Sequence, residues 1–146
     1  MTRTWKLWDD ISLVIHEPPL TGDNLGLKTW ASSYMLAKRL ESIRINHKLK
    51  ENDEQLFALM ELGSGTGLVG LAAAAIWKCS VLLTDLPEII PNLKRNVEYN
   101  RKMIVKRGGY AAVQALDWDN PPPPFNFGSS FQVSFIFYSI LWIFYK

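Results

Sequence analysis

Seven residues, Glu61-Leu62-Gly63-Ser64-Gly65-Thr66-Gly67, constrain the fold of this 146-residue chain more than any others. An apolar run, Leu56 to Met60, precedes them, and a helical apolar pattern from Leu68 through Val69, Leu71, Ala72 to Ala75 and Ile76 follows. Strand, glycine turn and helix are the consequence. Glycines at that junction let a ligand approach bare backbone at a helix N-terminus, where side chains would block it.

Two ligands fit such a turn. Gly65-Thr66-Gly67-Leu68-Val69-Gly70 matches the G-x-G-x-x-G pattern of dinucleotide sites. Glu61, two residues before the first glycine, points elsewhere. A carboxylate there repels a pyrophosphate and attracts the cationic amino-acid end of S-adenosyl-L-methionine. The additional Gly63 and the long segment before the first central strand favour the same methyl donor. Asp85 closes the run Ser80-Val81-Leu82-Leu83-Thr84. It does not separate the two readings, because both place an acid at the end of the second strand to hold ribose hydroxyls.

Composition narrows the remaining classes. Hydrophobic residues make up 48% and charged residues 21%, a globular balance, and a net charge of +2 is too small to imply nucleic acid. His16, His47 and the single Cys79 lack the spacing of a metal site, and Cys79 reads as a small buried hydrophobe. Met1 to Asp10 is polar and carries no signal-peptide core, which favours the cytoplasm or the nucleus.

Along the chain, Ile11 to His16 reads as a strand, followed by a loop around Pro18, Pro19, Gly22 and Gly26. Thr29 is placed to cap a helix on which Trp30, Tyr34, Ala37, Leu40 and Ile43 recur. Residues 46–54 form a polar linker, and the first central strand is expected at 55–61. The helix after the glycines ends near Trp77, and the second strand covers 80–84. A helix with Ile90, Leu93, Val97 and Ile104 on one face follows, with Pro91 in its first turn. Tyr110 to Leu116 reads as the third strand and Phe131 to Phe137 as a fourth, after the break at Pro121 to Pro124. Alternating strands and helices predict a parallel α/β sheet whose ligand lies beyond the carboxyl ends of the strands. Glu61, Gly63, Asp85, Asp117 and Trp118 all fall there.

Gly26-Leu27-Lys28-Thr29-Trp30, the glycine motif, Thr84-Asp85-Leu86-Pro87-Glu88, the asparagines Asn92, Asn96 and Asn100, and Leu116-Asp117-Trp118 together resemble a known family. It is the class I methyltransferases called the lysine methyltransferase 16, or nicotinamide-methyltransferase-like, family. The resemblance covers roughly residues 10–120. It implies a partial Rossmann-like sheet with about four central strands of the usual seven. The expected layout is an N-terminal strand, loop and helix extension over 1–54, a donor-binding core over 55–137 and an apolar tail over 138–146.

It also implies roles. Glu61, Gly63 and Gly65 would line the methionine end of S-adenosyl-L-methionine, and Asp85 would accept from both ribose hydroxyls. Leu86, Asp117 and Trp118 would bound the adenine, and Trp30 would close over the donor. Core packing is the rival reading for Trp30 and Trp118. The basic residues Lys94, Arg95, Arg101, Lys102, Lys106 and Arg107 read as a solvated helix face. Family members mostly methylate lysines of proteins such as translation factors and chaperones, so a protein substrate is implied, with no metal and no nucleic acid.

The family's acceptor element, an Asp-x-x-Tyr type sequence after the fourth strand, has no counterpart here. Gln132 stands where an Asp is usual, and no acidic residue follows Asp119. Residues 131–146 are too short to span a bilayer, which needs about 20 apolar residues. The chain therefore reads as a truncated form of such a methyltransferase. The alternatives are a non-catalytic module that keeps the donor fold, and a fragment of an NAD-binding oxidoreductase.

Overall fold

The computed structural model describes residues 1–19, 25–43 and 57–120. The expected linker at 46–54, the proline break, the fourth strand at 131–137 and the apolar tail lie outside the described residues, as do the first two positions of the strand expected at 55–61.

The chain opens with β1 (Thr2–Trp8), which pairs antiparallel with β2 (Ile11–His16), Thr2 opposite His16. The register shifts between Lys6 and Trp8. β2 obeys the two-residue period, since Ile11, Leu13 and Ile15 are completely buried while Ser12 is exposed. From sequence β1 reads only as a polar N-terminus. Its burial shows why: of its seven residues only Leu7 is buried.

α1 (Ala31–Arg39) follows a short 3-10 turn at Leu25–Leu27, and a second such turn, Leu40–Ser42, extends its end. Thr29 does not cap this helix. Trp30 holds the N-cap position with no side-chain cap, and the Thr29 hydroxyl turns inward instead. Ala37 and Leu40 are fully buried as the spacing predicts, whereas Ile43 lies past the helix and is 37% exposed.

The central sheet is built from β3 (Leu59–Leu62), β4 (Ser80–Asp85) and β5 (Tyr110–Ala115), in that order and all parallel among the described residues. Leu59 faces Val81, and Val81 faces Ala111. α2 (Leu68–Trp77) connects β3 to β4, and α3 (Ile90–Lys106) connects β4 to β5. This is the expected α/β alternation, one part of a Rossmann-like sheet. α2 has no polar face, and every residue from Leu68 to Ala75 is buried, because α1, α3 and the sheet surround it. α3 is amphipathic: Leu93, Val97 and Ile104 face the core. Lys94, Arg95, Arg101, Lys102 and Lys106 are exposed, and Arg107 pairs with Asp10 at 2.7 Å. Cys79 is buried, and burial pushes its thiol up to about 12. No described helix is long and apolar enough to cross a membrane.

The three asparagines on α3 sew it to β2. Asn100 accepts from the Val14 N–H at 2.9 Å and donates to the Val14 carbonyl at 2.8 Å. Asn96 treats His16 the same way, at 2.8 and 3.1 Å, and also donates to the Thr66 carbonyl at 2.9 Å. Asn92 adds a donor to the His16 carbonyl at 3.0 Å. The carboxamides of Asn96 and Asn100 copy a peptide group, so β2 finds on a helix the partners that a strand edge otherwise leaves to another strand. The spacing of four residues puts all three on one face.

Candidate functional site

Parallel strands end at one edge of the sheet, and here three successive ends converge. β3 ends at Leu62 and enters the glycine turn. β4 ends at Asp85, and β5 passes into Leu116-Asp117-Trp118, with the Leu116 N–H continuing the ladder to the Asp85 carbonyl at 2.8 Å. The segment before α1 closes the opposite side. The result is a cleft of about 390 Å³ lined by Gly26, Lys28, Trp30, Ser33, the turn residues Gly63 to Thr66, Asp85, Leu86, Glu88, Ile89 and residues 116–119. That volume suits a small organic ligand.

The turn is held rigidly. Ser64 and Thr84 exchange bonds, Ser64 N–H to the Thr84 carbonyl at 3.0 Å and Thr84 N–H to Ser64 Oγ at 3.1 Å. Thr84 Oγ1 donates to the Glu61 carbonyl at 2.7 Å. Gly65 has φ +56°, and a Cβ there would lie 2.9 Å from the Gly26 carbonyl oxygen. Only glycine meets both conditions.

Asp85 braces the turn from below. Its Oδ2 accepts from the Gly65 N–H at 2.6 Å and its Oδ1 from the Leu86 N–H at 2.8 Å. Burial raises its pKa, and these two N–H groups oppose the rise. Each oxygen keeps a second lone pair for a ligand hydroxyl. Asp117 accepts from the Asp119 N–H at 3.0 Å. Trp118 and Leu86 present large apolar surfaces at the opening, 54% and 40% exposed. Trp30 lies across the cleft with the Lys28 ammonium 5.2 Å from its ring, and its Nε1 is buried with no partner. Unlike plain core residues, both tryptophans line the cleft.

Seven of the eight residues singled out from sequence thus surround one cavity: Trp30, Gly63, Gly65, Asp85, Leu86, Asp117 and Trp118. Glu61 does not. It is 1% exposed and sits beneath the turn, where its Oε2 accepts from the Gly70 N–H at 3.1 Å while Oε1 has no partner. Burial pushes its carboxyl up to about 8, against the opposing pull of bonds from Ser64 and Gly70. At neutral pH it is mainly protonated, so it offers the cleft little negative charge. Among the described residues, the acidity of the lining comes instead from Asp85, Glu88, Asp117 and Asp119, set against one cation, Lys28. Glu88 and Asp119 have no role assigned from sequence. Their signal was position, each lying within three residues after a strand end or its extension.

The lining tests the ligand. Four carboxylates and one ammonium among the described lining residues suit a cationic molecule and disfavour a pyrophosphate. The exposed apolar surfaces of Leu86 and Trp118 suit a flat ring, and Asp85 suits a diol. The sulfonium, ammonium, ribose and adenine of S-adenosylmethionine are compatible with this set of groups. Among the described residues no cluster of three or more histidines, cysteines or acids could hold a metal ion.

Comparison with known proteins agrees with the geometry. Residues 8–133 match the lysine methyltransferase family. The protein-lysine N-methyltransferase rrg1 of Schizosaccharomyces pombe is 40% identical over 120 residues, covering 82% of this chain and 37% of that protein. The protein-lysine N-methyltransferase EFM2 of Saccharomyces cerevisiae is 41% identical over 124 residues, covering 75% of this chain and 28% of the yeast protein. The mouse EEF1A lysine methyltransferase 3 is 34% identical over 108 residues, 70% of this chain and 41% of the mouse protein. The chain spans only about a third of the length of the first two relatives.

Proposed function

Because the chain belongs to the lysine methyltransferase family, we propose that it carries the donor-binding half of an S-adenosylmethionine-dependent protein-lysine N-methyltransferase. The observation that supports this most is the convergence of three strand ends and the Gly26–Trp30 segment on one acidic, aromatic-lined cleft. In this reading Asp85 accepts from the ribose hydroxyls through the lone pairs its backbone bonds leave free. Leu86 and Trp118 enclose the adenine, with Asp117 at its edge. Gly63 and Gly65 leave room for the methionine end, and Trp30 covers it. Glu61 acts from behind by fixing the first turn of α2 through Gly70. When bound, the donor supplies an electrophilic methyl on a sulfonium centre.

The chain's own contribution is to fix that methyl's direction and to exclude water from it, because displacement at a methyl depends on alignment. The acceptor is a lysine of a protein. The names of relatives favour a translation factor, since one of them is an EEF1A lysine methyltransferase. The cytoplasm or nucleus is the corresponding compartment.

Calorimetry with S-adenosylhomocysteine tests the donor assignment. Binding is expected, and Asp85→Ala should weaken it by about 1.5–3 kcal/mol, as for a lost charge-assisted hydrogen bond. Tighter binding of NAD than of S-adenosylhomocysteine would reverse the assignment. Transfer of a radiolabelled methyl from the donor to lysate proteins separates an enzyme from a module that only binds.

A further inference from the structure

Two buried hydroxyls join the donor cleft's two walls. Thr29 Oγ1 and Thr66 Oγ1 lie 2.8 Å apart, with Thr29 6% and Thr66 3% exposed. The pair serves no helix and no strand. Thr66 follows Gly65 in the glycine turn, and its carbonyl is held by Asn96 at 2.9 Å. Thr29 precedes Trp30, and its N–H donates to Glu17 Oε1 at 2.9 Å. Gly26, at the start of the same segment, rests its carbonyl oxygen against Gly65. The segment therefore meets the turn at two points, and Trp30 is the next residue to reach the cleft.

From this geometry we infer that Thr29 is a positioning residue, whose hydroxyl, locked to Thr66, sets Trp30 over the donor in register with the glycine turn. The inference deepens the donor-binding reading and rests on it. A threonine that merely filled space would be replaced by the isosteric valine without consequence for Trp30. A threonine that positions would not, because valine removes one hydroxyl and leaves the other buried and unpaired.

The test uses the full chain labelled with 5-fluorotryptophan, its Trp30 fluorine resonance assigned through Trp30→Phe, together with calorimetry using S-adenosylhomocysteine. Thr29→Val should shift or broaden the Trp30 resonance, leave the other tryptophans in place, and weaken binding about tenfold. Thr66→Val should do the same, and the double variant should be no worse than either single one, because both remove one bond. Thr29→Ser keeps the hydroxyl and should bind within about twofold of the parent. Glu17→Ala, which alters no buried side chain, should move the Trp30 resonance in the same direction. An unchanged Trp30 resonance in Glu17→Ala and Thr29→Val overturns the inference, as do losses that multiply in the double variant. A parent chain that takes up no S-adenosylhomocysteine defeats the donor reading itself. A parent that binds while Thr29→Val binds equally well defeats only the positioning role.

Discussion

The carboxyl of Glu61 is enclosed between the glycine turn and the first turn of α2, and a Cβ on Gly70 would lie 2.4 Å from its Oε2. No water-facing path remains for a charge, which is why burial raises its pKa from 4.5 to about 8. The consequence for stability has a definite sign. Below pH 4.5 the group is protonated in both folded and unfolded chains. Between pH 4.5 and about 8 the unfolded chain ionises it while the folded chain does not, so stability falls as pH rises through this window. Glu61→Gln keeps the shape and removes the titration. Urea unfolding at a series of pH values should therefore show a smaller loss from pH 5 to pH 8 in the variant than in the parent. An identical slope in the two would mean that Glu61 ionises normally. Gly65 makes the opposite kind of demand, on space and not on charge. Gly65→Ala forces a side chain into the left-handed region and against the Gly26 carbonyl, and should cost about 2 kcal/mol or more in chemical unfolding.

The hairpin of β1 and β2 depends on α3 through the asparagine bonds. Asn96 accepts from the His16 N–H and donates to the Thr66 carbonyl, and it shares the His16 carbonyl with Asn92. Asn96→Leu fits a buried site but takes these partners from the His16 N–H and the Thr66 carbonyl, and should destabilise the chain by about 2–4 kcal/mol. Hydrogen exchange should register the loss first at the His16 amide. Unaltered protection there would show that the hairpin stands by other means. These elements also mark where the sequence could be read and where it could not. The glycine turn, α2, β4 and α3 were legible because local pattern and tertiary burial agree in them: Leu93, Val97 and Ile104 repeat at helical spacing and all three are buried. β1 was not legible, because Arg3 and Lys6 interrupt it and only Leu7 is enclosed. Its carbonyls are taken by side chains of α1, Lys6 by Tyr34 and Leu7 by Lys38, which no local pattern announces. Thr29 looked like a cap because threonine is a good one, and a partner 37 residues away overrode the preference. Of the site, the strand-end residues were readable from topology alone. The burial of Glu61 was not, since it follows from how closely α2 packs at Gly70.

Across the whole molecule, the family match covers residues 8–133, while the relatives rrg1 and EFM2 are matched over only 37% and 28% of their length. Donor capture can thus be asked of this chain separately from methyl transfer. Every group assigned to the donor is among the described residues, and its core is continuous from Leu7 through Leu83 to Ile104. A ligand that binds only this folded arrangement must stabilise it by mass action. At a concentration of 100 times its dissociation constant the gain is about 2.7 kcal/mol. For a chain of this size that corresponds to a rise in melting temperature of about 5–10 °C. S-adenosylhomocysteine should produce such a rise in thermal melts, growing with the logarithm of its concentration. NAD at the same concentrations should produce little, because the carboxylates at Asp85, Glu88, Asp117 and Asp119 oppose its phosphates. High salt should narrow the difference between the two ligands by screening those carboxylates. Asp85→Ala should lose most of the rise with S-adenosylhomocysteine. An equal rise with NAD in the parent chain, or a full rise in Asp85→Ala, would place the ligand outside this cleft and remove the ground for reading it as a donor site.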